Sequence, residues 1–336
     1  MMRIEAADVL VIGAGMAGLM AARRLHENGR RVLVLDKGRG VGGRMATRRI
    51  GPGLADHGAQ FFTVRTPQFR AFVEQWEAAG LVYEWSRGWS DGSLLLSRAG
   101  DGYPRYAVRG GFTAVPKRLA RDLAVHTGVQ VTAVTAVDNG WQAVDGEGRR
   151  YAGRALLLTP PAPQALALLD AGQIALRAAD RAALEQIAYA PCLCGLFWVE
   201  GRVRLPEPGA LQRPGAPISW IADNQRKGIS PQARLITVHA GPDTSRALWD
   251  APEEEALATL EVGLASFLGP GAAVKTGQLK RWRYALPTVV HPGRVLVAQD
   301  APGLLFAGDA FGGPRVEGAA LSGLAAAEQL LAVSHD

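Results

Sequence analysis

Cysteine is almost missing from this chain: Cys192 and Cys194 are the only two among 336 residues. Two thiols one residue apart build neither a disulfide framework nor a metal knuckle, so the expectation is a reducing, cytoplasmic setting with both cysteines packed and no metal bound. Long hydrophobic runs are missing too. No stretch reaches the roughly 20 apolar residues that span a bilayer. The apolar segment Val9 to Leu19 is broken by Gly13, Gly15 and Gly18 and leads into an Arg-bearing helix, unlike a signal peptide. A strong charge of either sign is also lacking. Lys and Arg number 37 against 31 Asp and Glu, a net +6. That excess is too mild to indicate nucleic acid, although an anionic small molecule would benefit from it. With 48% hydrophobic and 20% charged residues, disordered and fibrous classes are excluded. Neither an internal repeat nor a low-complexity linker is present.

Glycine is plentiful, at 41 residues, and its clusters carry the first chemical signal. Val9-Leu10-Val11-Ile12 is an apolar run of the buried parallel-strand type. It meets Gly13-Ala14-Gly15-Met16-Ala17-Gly18 and a helical segment through Glu27, closed by Gly29. Val32 to Leu35 then forms a second buried strand ending in Asp36-Lys37. The whole is a βαβ unit of Rossmann size. The glycines of the G-x-G-x-x-G differ in what they permit. Gly13 allows the tight turn, Gly15 the close approach to a pyrophosphate, and Gly18 the packing of helix on sheet. The helix N-terminus faces the negative charge, and Asp36 accepts hydrogen bonds from ribose hydroxyls.

Further along, Phe69, Phe72, Val73 and Trp76 repeat at helical spacing between Pro67 and Gly80. Thr113 to Leu123 reads as another helix, and Val129 to Val131 and Val134 to Val137 as strands. Asn139-Gly140 reads as a hairpin turn to Trp141 through Val144, and Leu156 to Leu158 as a buried strand stopped by prolines. Residues 166–285 are richer in Pro and aromatics, with strand-like pieces at Leu196 to Val199, Ile218 to Ile221 and Leu235 to Ala240. The C-terminal part returns to the first pattern with a strand and loop at Gly303 to Asp309 and a small-residue helix from Ala319 to Leu331. The expectation is an α/β dinucleotide-binding domain in three pieces, 1–80, 108–165 and 286–336. A smaller, mixed and largely antiparallel substrate domain takes 81–107 and 166–285.

The βαβ unit alone does not separate NAD from FAD. Gly42-Gly43-Arg44-Met45 offers a guanidinium between flexible glycines, suited to a pyrophosphate or a flavin edge. In Asp56-His57-Gly58-Ala59-Gln60-Phe61, small residues let main chain lie beside a flat ring. Gly308-Asp309 and Arg315-Val316-Glu317-Gly318-Ala319 open the last helix. A carboxylate there binds ribityl hydroxyls, and the helix N-terminus faces the flavin N1 and C2 carbonyl, where charge gathers on reduction. A simple nicotinamide dehydrogenase has no use for this returning segment.

With these segments, Trp220-Ile221-Ala222-Asp223-Asn224 and Arg281-Trp282-Arg283-Tyr284-Ala285, the chain resembles the bacterial renalases, a group within the flavin amine oxidase family. The resemblance extends over nearly the whole chain. It implies a fold like p-hydroxybenzoate hydroxylase and non-covalent FAD. The activity it implies is oxidation of 2- and 6-dihydro isomers of NAD(P), with hydride passing to flavin N5 and molecular oxygen reduced to hydrogen peroxide. It further implies an adenine site at Val134, with Thr159 near it. The substrate candidates are Trp220, Asn224 for a carboxamide, Arg281 for negative charge, Trp282 and Tyr284. The three aromatics either wall a flat substrate or fill the core of the smaller domain. His57, His239 and His291 share no ligand spacing and read as structural, so the flavin carries the chemistry and no catalytic side chain is assigned. The alternatives are a flavin amine oxidase or related desaturase and, from another class, a non-catalytic flavin-binding module.

Overall fold

The structure, a computed structural model, describes residues 5–92 and 102–332. They divide into two compact units, one within Met1–Gly43, Val115–Ala188 and Pro287–Asp336, the other within Arg44–Ala114 and Tyr189–Leu286. Contacts thus group 44–80 and 108–114 with the second unit and 166–188 with the first, a different division from the cofactor-based one expected above.

The first unit, with elements numbered along the chain, holds β1 (Glu5–Ile12), α1 (Met16–Glu27), β2 (Val32–Asp36), α3 (Ala114–Leu119), β7 (Ala124–Thr127), β8 (Val131–Val137), β9 (Gly140–Asp145) and β10 (Arg150–Leu158). It continues with α4 (Ala162–Ala171), α5 (Ala178–Glu185), β16 (Leu296–Val297), β17 (Leu304–Phe306) and α8 (Val316–Ala332). Its main sheet runs β16-β17-β10-β1-β2-β7, with β8 and β9 joined to β10. β1 lies parallel between β2 and β10, and β17 lies parallel beside β10. Central parallel strands are covered on both faces, which is why Val9 to Ile12 and Leu156 to Leu158 are continuous apolar runs and all buried. Helix α8 crosses the first turn of α1 so closely that a Cβ on Gly323 would stand 2.1 Å from the Ala17 carbonyl oxygen. Small residues there bring two backbones together.

The second unit holds β3 (Thr47–Ile50), β4 (Gly53–Asp56), α2 (Pro67–Ala78), β5 (Val82–Ser86), β6 (Arg105–Val108), β11 (Ala188–Glu200), β12 (Ala210–Gln212), β13 (Ile218–Asp223), β14 (Leu235–Ala240), α6 (Pro242–Ala247), α7 (Glu253–Ala265) and β15 (Ala273–Val289). Its five-stranded sheet runs β12-β13-β14-β11-β15, and the β12/β13, β13/β14 and β14/β11 pairs are antiparallel. One face, with Phe197, Ile221, Ile236 and Val238, packs under Leu260 and Leu264 of α7. The other carries Cys194, Leu196 and Leu235 against Ile50 and Ala55 of the β3–β4 hairpin. In α2, Thr66 caps the helix by accepting from Phe69 N–H, Pro67 occupies the first turn, and Phe69, Val73 and Trp76 are buried, as their spacing demands.

Three sequence expectations need correction. The helix expected over 113–123 ends at Leu119, because Asp122 takes a positive φ of 63° and the chain turns into β7. The strand expected at 129–131 starts only at Val131, since Gly128 and Val129 turn back onto Gly38 and Asp36. The short strand at 196–199 is part of the thirteen-residue β11.

Candidate functional site

In the first unit, β1 ends in a glycine loop whose geometry matches its residues. Gly13 has φ +104°, and a Cβ there would lie 2.4 Å from Thr159 Oγ1. Thr159 donates to the carbonyls of Ile12 (2.8 Å) and Gly13 (3.1 Å), bracing the turn. At Gly18 a Cβ would sit 2.0 Å from the Gly13 carbonyl oxygen. Gly15 is different: a Cβ added there meets nothing within 4 Å. It is also the N-cap of α1 and offers no side-chain cap, so the first-turn N–H groups of Met16, Ala17 and Gly18 face that space. Gly42 N–H donates to the Ala14 carbonyl and brings Gly43, at φ +54°, beside Gly15. Uncapped donors, room and a helix N-terminus suit a diphosphate.

Asp36 also does something that its position did not announce. Its carboxylate accepts from Ala14 N–H and from Gly38 N–H, both at 2.6 Å, and so ties the end of β2 to the glycine loop. A carboxylate accepts about four bonds, which leaves capacity for ribose hydroxyls. Lys37 beside it is exposed.

The returning segment is also in this unit. Gly308 N–H donates to buried Ser322 Oγ (2.8 Å), Asp309 is half-buried, and the chain enters α8 through exposed Arg315 at φ +102°. Val316, Glu317 and Ala319 of the first turn are buried. Val134 is buried opposite Ala143 in the β8–β9 ribbon, with its carbonyl against Gly172 after α4.

The second unit gathers the other candidates into one hydrogen-bonded network. Arg44 Nη1 donates to the Tyr284 carbonyl (2.9 Å), and the Arg44 carbonyl accepts from Ala59 N–H (2.9 Å). At Gly58 a Cβ would press to 1.9 Å from that same carbonyl oxygen, so only glycine fits. Met45 is buried. Gln60 Nε2 donates to the carbonyls of Asp56 and Gly58, and its Oε1 accepts from Trp220 Nε1 (3.3 Å). Trp282 Nε1 donates to the His57 carbonyl (2.8 Å), and its ring stacks on the His57 imidazole at 5.3 Å. Phe61, Trp85, Trp89 and Trp220 form an aromatic cluster over Ala210 and Ala222.

Two substrate candidates fall out. Asn224 is fully buried; both of its amide donors are spent on Leu235 O and Thr237 Oγ1, and its oxygen accepts from Asp56 N–H. No donor remains for a carboxamide. Arg281 alternates with Trp282 along β15, and its guanidinium donates to the Trp249 and Ala251 carbonyls. Period-two alternation sends it to the other face of the strand.

At the centre of the network is a buried ion pair that the sequence did not announce. Lys227 Nζ lies 2.7 Å from Asp56 Oδ2 and 2.7 Å from the Gln60 carbonyl oxygen, with both side chains wholly buried. Its ammonium also stands 4.9 Å from the Trp85 and Phe112 ring centres. Burial pulls the lysine below its ordinary range, and Asp56 pulls it back. Asp56 Oδ1 meanwhile accepts from Thr47 Oγ1 (2.6 Å) and Phe112 N–H (2.8 Å). Burial, helped by the charge of Lys280 and opposed by that of Asp56, pushes His57 down to about 4. Burial, with His57 and Lys227, does the same to His239. Both imidazoles are neutral at pH 7. Burial lifts Cys192 to about 12 and Cys194 well above its usual range, so neither is a thiolate.

A glycine loop at a helix N-terminus, an acidic strand end and a returning helix define a dinucleotide-binding domain. Comparison with known proteins refines the class. Residues 11–76 match the model for the NAD(P)-binding Rossmann-like domain, and residues 77–331 that for flavin containing amine oxidoreductase. The chain belongs to the flavin containing amine oxidoreductase family, whose members are FAD-dependent oxidoreductases. It is 40% identical to putrescine oxidase of Kocuria rosea over 68 residues, 20% of this chain and 14% of that one. It is 45% identical to lysine-specific histone demethylase 1 homolog 1 of Arabidopsis thaliana over 65 residues, 18% of this chain and 8% of that one. The matches therefore span a small part of these curated relatives. Among solved structures, wild-type putrescine oxidase bound to putrescine superposes with a TM-score of 0.69 at 16% identity, covering 98% of this chain and all of the other. A redesigned triple mutant of putrescine oxidase superposes with a TM-score of 0.71 at 15% identity, covering 99% of this chain and all of the other. At that identity the likeness is one of fold.

Proposed function

We propose that this chain is a renalase-like oxidase that takes a hydride from a 2- or 6-dihydro isomer of NAD(P), with oxygen as the final acceptor and hydrogen peroxide as product. FAD, when bound, supplies the hydride acceptor and the path to oxygen. The diphosphate of FAD is assigned to Gly13, Ala14, Gly15, Met16, Ala17 and Gly43, its ribose to Asp36, and its ribityl end to Gly308, Asp309 and the first turn of α8 from Arg315 to Ala319. The ring is assigned to Arg44, Met45 and the 58–61 main chain, and the substrate to Trp220, Trp282 and Tyr284. The adenine assignment to Val134 rests on resemblance alone.

The observation that carries the reading is the character of the second unit's network: rings, neutral imidazoles and a carboxylate, Asp56, that is already paired with Lys227. Removing hydride from a dihydronicotinamide isomer restores an aromatic pyridinium, and no proton leaves the reacting carbon. The protein then has to hold a flat ring, exclude water and supply orientation, which aromatic walls do. Neutral His57 and His239 add no positive charge of their own to oppose the pyridinium product.

The competing reading is an amine oxidase, supported by the family and by the putrescine oxidase likeness. An amine substrate reacts as the free base, so its rate climbs with pH as the ammonium deprotonates. Anaerobic mixing with 6-dihydroNAD, ordinary NADH and a panel of amines, while flavin absorbance is followed, separates the two. Fast bleaching by the 6-dihydro isomer and slow bleaching by the rest is expected; rapid bleaching by an amine alone would overturn the renalase-like reading.

A further inference from the structure

We infer that Lys227 is a positioning residue that polarises the Gln60–Phe61 peptide, making the Phe61 N–H a strengthened hydrogen-bond donor that tunes the bound flavin. The inference rests on the reading that the 58–61 main chain lies along the flavin ring.

Lys227 is wholly buried, and its donors are committed inward, to Asp56 Oδ2 and to the Gln60 carbonyl, each at 2.7 Å. A bond from an ammonium to a carbonyl is charge-assisted, roughly twice as strong as one between neutral groups. The Gln60–Phe61 peptide is trans, and in a trans peptide the C=O and the N–H point in opposite directions. Drawing electron density toward the oxygen leaves the nitrogen end more positive, and polarisation of this kind strengthens the next bond in the chain. The Phe61 N–H therefore points away from Lys227, carrying the effect of a charge that is itself shut off from solvent. Among the described residues it meets no acceptor, and neither do the N–H groups of Gly58 and Gln60. Neighbouring donors are spent: His57 N–H on Ala46, Ala59 N–H on Arg44 and Phe62 N–H on Tyr106.

The segment is also held so that the donor cannot swing inward. Asp56 is fixed by Thr47, Phe112, Asn224 and Thr237, and the Gln60 side chain closes back onto Asp56 and Gly58. A fixed, polarised N–H beside a flavin favours the reduced ring, which carries more negative charge on its acceptor atoms than the oxidised ring. Lys227 thereby raises the flavin midpoint potential without touching the cofactor.

The test is the FAD-loaded double variant Lys227→Gln with Asp56→Asn, which removes both charges together and leaves neither stranded. The midpoint potential is measured against a reference dye, alongside FAD affinity and melting temperature. A drop of about tenfold in the equilibrium constant for flavin reduction, about 30 mV for a two-electron couple, is expected, with Lys227→Arg staying near the unmodified value. An unchanged potential in the folded, loaded double variant overturns the inference, even if melting falls. Ala59→Leu tests the underlying reading separately, because a side chain beside the ring lowers FAD affinity whatever Lys227 does. Should the double variant not fold, the unmodified protein labelled with ¹⁵N-phenylalanine decides, with Phe61 assigned by Phe61→Leu. Its amide proton is expected far downfield when FAD binds and further downfield on reduction; a resonance indifferent to both overturns the inference.

Discussion

Two glycines three residues apart illustrate how one motif carries two kinds of constraint. A side chain at Gly18 runs into the Gly13 carbonyl, whereas one at Gly15 enters open space. Gly18→Val is therefore expected to destabilise the fold by about 3 kcal/mol or more through overpacking. Gly15→Val is expected to leave apoprotein melting nearly unchanged while FAD affinity falls at least tenfold; equal melting losses in the two apoproteins would contradict this. The buried histidines make a different prediction. His57 and His239 have folded-state values near 4, below the ordinary 6.5, so the unfolded chain binds protons more readily between those limits. The stability they contribute is complete above pH 6.5 and is lost as pH falls toward 4, by up to about 1.4 kcal/mol per pH unit for each histidine. Denaturant melts at successive pH values check the slope, which His239→Gln reduces. The glycines were legible in the sequence because their spacing is local. Lys227 was not: it lies 171 positions from the aspartate it neutralises, inside a polar run that reads as a surface turn. Asn224 misled for the same reason, since a buried amide and a ligand-binding amide look alike until their partners are known.

Elements with one strong period were readable, and elements shaped by distant partners were not. The β1–α1–β2 unit and α2 announce themselves through continuous apolar strands, helical spacing and closing glycines. β15 does not: seventeen residues long, it shows Lys280, Trp282 and Tyr284 half-buried on one side and Arg281 and Arg283 exposed on the other. Its Lys and Arg residues hide the alternation. At the crossing of α8 over α1, the contact depends on Gly323 lying against Ala17. Gly323→Leu is expected to push the helices apart at a cost of about 1–3 kcal/mol and to weaken FAD binding as well, because the first turn of α1 shifts. Calorimetry of the apoprotein with FAD titration checks both; a variant that melts lower but binds FAD as before would separate α8 from the cofactor.

For the molecule as a whole, the net charge of +6 and the flavin make their own predictions. FAD held without a covalent bond leaves with acid denaturation, so the supernatant is expected to be yellow and the pellet colourless; flavin that stays with the pellet would contradict this. An anionic dinucleotide approaching a positive protein is slowed by salt. Its kcat/KM is expected to fall as ionic strength rises from about 0.01 M to about 0.15 M and the screening length shrinks from about 30 to about 8 Å. A cationic amine would show the opposite trend. The three-piece construction of the first unit also bears on synthesis. β10 receives its parallel neighbour β17 only from Leu304–Phe306, and α1 receives its covering helix only from Val316–Ala332. A nascent chain therefore carries an open strand edge and a bare helix face until residues 304–332 have left the ribosome, an invitation to aggregation. Slower translation ahead of residue 304 is expected to increase the insoluble fraction, and a chaperone that shields the β10 edge to reduce it.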